Sequence, residues 1–221
     1  MTAFVLVPGA GGAAWYWHRV VPLLTAADCT VVPVDLHGED PGRGLPEYAA
    51  TVRAAMTGLS DVVLVGQSMG AFTVPMALTP AVRRIVLLNG MVPLPGETPG
   101  AWWEATGQPA AMAAADAVAG RTGGFDVETH FLHDVPAVVV AGGADEVREP
   151  AGTPFGQPCT FENWPVPVRS VAGRDDRFFP LEFQRRLARE RLGLDLEEVP
   201  GGHLAALSHP AAVAAALLVS A

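Results

Sequence analysis

Short, continuously apolar runs alternate along the chain with longer stretches whose apolar residues recur at helical spacing. The runs are "FVLVPG" (4–9), "CTVVPVDL" (29–36), "DVVLVGQS" (61–68), "RRIVLLNG" (83–90), "VPVRSVAG" (166–173) and "LDLEEVPG" (194–201). Between them lie "WYWHRVVPLLTAA", "LPEYAATVRAAMTGL", "AFTVPMALTPAV", "LEFQRRLARERLG" and "LAALSHPAAVAAALLVSA". Strands apolar on both faces, separated by helices, predict an α/β protein with a mostly parallel central sheet covered on both sides. Pro75 falls inside the helix that follows the third run, where it should cause a kink.

Residues 91–164 break this rhythm with a mixture of Pro, Gly, Ala and Trp. A structureless loop of that length is out of place in a compact domain. The segment is therefore expected to be an inserted, largely helical cap, with residues 1–90 and 165–221 forming the core. "AWWEATGQPAAMAAADAVAG" and "FDVETHFLHDVP" read as helix-loop units. "PAVVVAGGADEVREP" is ambiguous: its valines favour a strand, its alanines and Glu/Arg tail a helix, and the reading leans to helix.

Composition narrows the function. Of 221 residues half are hydrophobic and 17% charged, which fits one packed domain. The net charge of −9, without any basic run, argues against a nucleic-acid partner. The cations are all Arg; lacking Lys, the chain has no residue for lysine Schiff-base chemistry. Cys29 and Cys159 make neither a disulfide framework nor a zinc cluster, although a single bridge stays open. No apolar run reaches the ~18 residues of a membrane span. The first run ends at a Pro-Gly turn without a basic leader, so it reads as a strand and a cytoplasmic location is expected.

Two motifs carry chemistry. In the first, Gly9-Ala10-Gly11-Gly12-Ala13-Ala14 matches G-x-G-x-x-G/A, and Asp35 follows where a dinucleotide fold places its ribose-binding acid. The bulky Trp15, Tyr16 and Trp17 at the start of the next helix oppose that reading, because the fingerprint needs close helix–strand packing there. The second is Gly66-Gln67-Ser68-Met69-Gly70, a G-x-S-x-G at a strand-to-helix junction. Small residues two positions either side let the chain turn sharply and lift a serine nucleophile above the sheet. The alternative is an ordinary turn that contains a serine. A general base is offered by His203, in a Gly-Gly loop between the last strand and a helix. His209, beside Pro210, looks like a local cap; His18, His37, His130 and His133 are further candidates.

Taken in order, "VLVPGAGGAAWYW", "GQSMG", "AGRDDRFFP" and "VPGGHLAALSHP" resemble the α/β-hydrolase superfamily, in particular its small esterase-like branch of plant methyl-ester esterases and hydroxynitrile lyases. The resemblance implies an α/β-hydrolase fold and a Ser-Asp-His triad in that chain order. It implies hydrolysis of a small ester, or a thioester, through an acyl-enzyme, with no metal or organic cofactor. In the family pattern G-x-x-D-x-x-x-P, Gly173 and Pro180 select Asp176 as the acid; Asp175 and Asp145 are the alternatives. The loop after the first strand implies Ala10 and Met69 N–H groups as the oxyanion hole, with Gly9 beside them and Pro8 where the family often has His. Trp15 and Trp17 match its aromatic positions. Gln67, Trp102, Trp103 and His133 are candidates for the substrate pocket, the alternatives being that the two tryptophans pack on each other and that His133 is solvated or structural. The family's lyases place a lysine by the pocket, which disfavours that chemistry here. A perhydrolase, a C–C-bond hydrolase and a non-catalytic small-molecule receptor on the same fold stay open, and the oligomeric state is not legible.

Overall fold

The computed structural model describes residues 1–219. Six strands form one sheet: β1 Ala3–Val7, β2 Thr30–Pro33, β3 Val62–Gln67, β4 Val82–Leu88, β5 Val168–Gly173 and β6 Glu197–Val199. Each falls within or against one of the six apolar runs. The order is β2-β1-β3-β4-β5-β6, and every neighbouring pair is parallel. The direction of progression reverses between β1 and β3. That is the switch point at which two loops diverge and leave a crevice beyond the carboxyl ends of the strands.

Alternation along each strand assigns side chains to the two faces. Ala3, Val5, Val7, Val62, Leu64, Ile85 and Leu87 enter one core; Phe4, Leu6, Val63, Val65, Val86 and Leu88 enter the other. The helices in chain order are α1 Val21–Thr25, α2 Leu45–Ala55, α3 Gly70–Thr73, α4 Pro99–Thr106, α5 Gln108–Val118, α6 Val127–His130, α7 Ala137–Gly142, α8 Leu181–Leu187, α9 Ala205–Ser208 and α10 Pro210–Leu218. Tyr48 and Val52 of α2, Phe72 of α3, and Phe183 and Leu187 of α8 cover the first face. Trp17, Leu24 of α1, and Val213 and Leu217 of α10 cover the second. The helix expected over 204–221 is thus split at Pro210, and its last two residues lie outside the described residues. After α3 the backbone tightens into a 3₁₀ turn, Val74–Ala77, with Pro75 in its first turn. Cys29 and Cys159 are both free. Among the described residues no helix is long and apolar enough to cross a membrane.

Residues 91–164 carry α4 to α7, linked by turns. Residues 137–142 are helical despite their valines. β-branched preference reflects packing on a neighbouring strand, and α7 closes its hydrogen bonds locally instead, from Pro136 O onward. The second part of the segment runs back along the core. Ala151 N–H donates to Gly38 O, Leu45 N–H to Gln157 Oε1, and the Cys159 thiol to Phe72 O. Burial pushes the Cys159 thiol up to about 12, so it is a packing group and not a nucleophile.

Candidate active site

The turn after β3 places Ser68 at φ +50°, a left-handed conformation that costs a non-glycine residue on the order of 1–3 kcal/mol. Backbone bonds hold it there: Ser68 N–H donates to Leu88 O of β4, and Met91 N–H donates to Ser68 O. The flanking glycines have a steric reason. A Cβ on Gly66 would lie 2.7 Å from Val74 Cγ2, and one on Gly70 would lie 2.5 Å from Pro8 O. Gly70 thereby lets α3 press against the loop after β1. On that loop a Cβ on Gly9 would lie 2.9 Å from Ser68 Cβ and 2.5 Å from Gln67 Oε1. The glycine knot brings bare backbone up to the serine.

Ser68 Oγ lies 3.1 Å from His203 Nε2, and His203 Nδ1 lies 2.8 Å from Asp176 Oδ2. A carboxylate only accepts, so Nδ1–H donates to Asp176 and the Nε2 lone pair faces the serine hydroxyl. All three residues are buried, Ser68 retaining 8% exposure. Asp176 Oδ1 accepts from the Phe178 and Phe179 N–H groups at 2.9 and 2.8 Å, and Gln184 Nε2 approaches Oδ2 at 3.3 Å. Asp175 faces solvent and binds the Gly201 N–H through its carboxylate at 3.3 Å. Asp145 lies in the exposed 3₁₀ turn Ala144–Glu146.

The Ala10 and Met69 N–H groups donate to no acceptor among the described residues. They stand on the two loops that meet at Ser68. Gln67 is buried and its Nε2 donates to His203 O at 3.4 Å. The Phe131 ring stacks on the His203 imidazole at 4.9 Å and 16°, and Phe178 and Phe179 meet it edge-on at 5.2 and 4.8 Å. Trp102 is fully buried against Phe179 and Phe183, with its indole N–H on Val92 O, so packing explains it. Trp103 is only half-buried and touches Phe178 and Phe179. His133 lies against the Gly202 backbone, in a polar cleft of about 440 Å³ with Arg121, Asp134, Arg174 and Arg177. Burial holds its imidazole below the usual histidine range, Arg177 adding to the effect and Asp134 opposing it.

Asp35, the residue a dinucleotide fold would aim at a ribose, accepts two bonds from Arg148 at 2.5 and 3.0 Å.

The model of the alpha/beta hydrolase family matches residues 4–216. The chain belongs to the alpha/beta hydrolase family. Methylesterase 3 of Arabidopsis thaliana is 34% identical over 114 residues, covering 45% of this chain and 43% of that protein. An alpha-hydroxynitrile lyase of Arabidopsis thaliana is 33% identical over 103 residues, 41% and 40% of the two chains. The chain thus spans less than half the length of each of these relatives in the match. The crystal structure of polyneuridine aldehyde esterase shares the fold, with a TM-score of 0.80 at 20% identity over 99% of this chain and 98% of that one.

Sequence reasoning passed over several residues of this neighbourhood. Asn89, buried at the end of β4, donates to the Gly202 and His203 carbonyls. Asp134, from residues 91–164, accepts the Gly202 N–H at 2.7 Å. Gln184 reaches Asp176 from α8. Only Asn89 carried a signal: a lone amide closing an apolar strand, beside a glycine.

Proposed function

We propose that this hydrolase cleaves a small carboxylic ester, a thioester included, through an acyl-enzyme formed on Ser68. The observation that carries the reading is the hydrogen-bonded line Ser68–His203–Asp176, with the serine on a strained turn. The esterase names of its relatives and structural neighbours point the same way. His203 Nε2 takes the Ser68 proton as Oγ bonds to the ester carbonyl carbon. The Ala10 and Met69 amides donate to the oxyanion, where preorganised donors act most strongly. The C–O bond to the alcohol then breaks, and the alcohol leaves with the proton held by His203. Water, deprotonated by His203, attacks the acyl carbon; the bond from that carbon to Ser68 Oγ breaks, the carboxylic acid leaves, and Oγ takes the proton back from His203. Asp176 holds the imidazole in the tautomer this needs.

Within the same reading, residues 91–164 act as a cap, with 1–90 and 165–221 as the core. Phe131 on the imidazole and Asp134 on the Gly202 N–H support the assignment. Phe131 and the half-buried Trp103 are the cap side chains closest to this role, with Gln67 behind the nucleophile. Labelling with a fluorophosphonate tests the reading: wild type should bind one equivalent at Ser68 and hydrolyse p-nitrophenyl acetate, and Ser68→Ala should do neither. Folded wild type that neither labels nor turns over any of a series of aryl, methyl and thioesters would overturn it.

A further inference from the structure

The triad leaves unexplained a fully buried amide at the end of β4, a central strand that carries none of its members. Asn89 closes β4 at φ +46°, a left-handed conformation that Asn tolerates better than most residues. Its backbone N–H is bound to Val171 O of β5. Its side chain is saturated. Nδ2 donates to Gly202 O at 3.1 Å and to His203 O at 3.0 Å, and Oδ1 accepts the Gly173 N–H at 2.7 Å. The amide therefore touches the base loop at Gly202 and His203, and the strand end at Gly173 from which the acid loop leaves. Gly173 O accepts the Asp176 N–H, so the same strand end that Asn89 grips also sets the acid. Gln184 adds a second path, its Nε2 lying 2.7 Å from Phe179 O, 3.3 Å from Asp176 Oδ2 and 3.5 Å from Asn89 Oδ1. Two successive carbonyls aimed at one amide fix the direction in which the next side chain leaves the loop, and here that side chain is the imidazole.

We propose, on the serine-hydrolase reading above, that Asn89 is a positioning residue that holds the acid loop and the base loop in register so that His203 meets Ser68 and Asp176 together. A purely structural role would only satisfy buried backbone groups, and its loss would appear in stability and not in the turnover of folded enzyme. Misplacing a base by a fraction of an ångström to 1 Å costs turnover instead, up to ~100-fold.

The test uses two variants of the full chain. Asn89→Gly keeps the left-handed turn accessible and removes the amide. Asn89→Asp keeps the size and the acceptor for Gly173 but turns an oxygen towards two carbonyls. Expected for Asn89→Gly are a fluorophosphonate labelling rate and a kcat for p-nitrophenyl acetate lower by about tenfold or more, with KM within about twofold, on protein that melts cooperatively. Expected for Asn89→Asp is a similar loss, together with an acid limb of the kcat/KM profile moved to higher pH, because a second carboxylate favours the imidazolium. Should Asn89→Gly fail to fold, Asn89→Asp decides alone. Folded variants that label at the wild-type rate with an unmoved acid limb would overturn the proposal while leaving the hydrolase reading intact. Wild type that does not label would overturn both.

Discussion

At the carboxyl edge of the sheet, Ser68, Asp176 and His203 are each held by several bonds from more than one element. In residues 91–164 the outer helices are held far less: α7 buries none of its residues, and Val118 and Val138 are 92% and 79% exposed. The difference separates two tasks. Groups that exchange protons must stay within a few tenths of an ångström, so they sit on strand ends backed by two cores. On the function proposed above, groups of residues 91–164 that face an acyl chain need contact area and tolerate movement. Two anchors keep the segment from being wholly loose. Trp102 plugs into the first core, and residues 148–159 strap back along the sheet's flank. The loosely held part is narrower than 91–164 as a whole: α7 buries nothing, whereas α5 and α6 bury Met112, Asp116 and His130, and Phe131 stacks on His203.

The comparison breaks first at the nucleophile. Ser68→Ala should cut kcat on the order of 10⁶-fold with the melting temperature nearly unchanged, measured by ester hydrolysis and circular dichroism. Next comes a contrast between the regions. Asp176→Asn should lose ~10⁴ in kcat, because the ring then takes the wrong tautomer. Asp145→Asn, in the exposed turn, should match wild type. An equal loss in both would place the acid outside the sheet edge.

If residues 91–164 form the proposed cap, substitutions there should sort substrates and not abolish turnover. Phe131→Ala and Trp103→Ala should shift the ratio of kcat/KM between acetyl and octanoyl esters about tenfold, as expected of a lining residue. Trp102→Ala should instead destabilise by about 3–5 kcal/mol, read from urea unfolding, because it empties a core site. If Trp102→Ala changes only the acyl ratio, that anchor has been misassigned.

The smallest effect concerns the strap. Burial alone would raise the Asp35 carboxyl, but its bonds to Arg148 and the His37 N–H more than offset that and hold it below the usual carboxylate range. A depressed carboxylate contributes stability above its unfolded value, near pH 4, and loses it as pH falls through the folded value. Arg148→Ala should therefore lower stability by about 1 kcal/mol at pH 7, a modest figure because both side chains keep some solvent contact. The gap to wild type should close as the pH falls towards 2. A gap that persists at pH 2 would show that Arg148 acts through packing.

Much of this was open to reading from residue pattern alone. The six strands, the serine turn, the end of regular α-helix next to Pro75 and the histidine between two glycines and a helix are local features. Each depends on periodicity, a steric demand within a few residues, or a missing N–H, and these survive in any context. The proposed choice of Asp176 over Asp175 rests on family spacing. The geometry supports it: Asp176 turns inward to two backbone N–H groups and the imidazole, while its neighbour faces water. Other features had no local signature. The burial of Trp102, the strap through Arg148 and Gln157, and the grip of Asn89 on two loops more than eighty residues away depend on which strand lies beside which. Strand order is set by the packing of the whole sheet and its two cores. A residue such as Asn89 acquires its partners only after β4 has taken its place between β3 and β5.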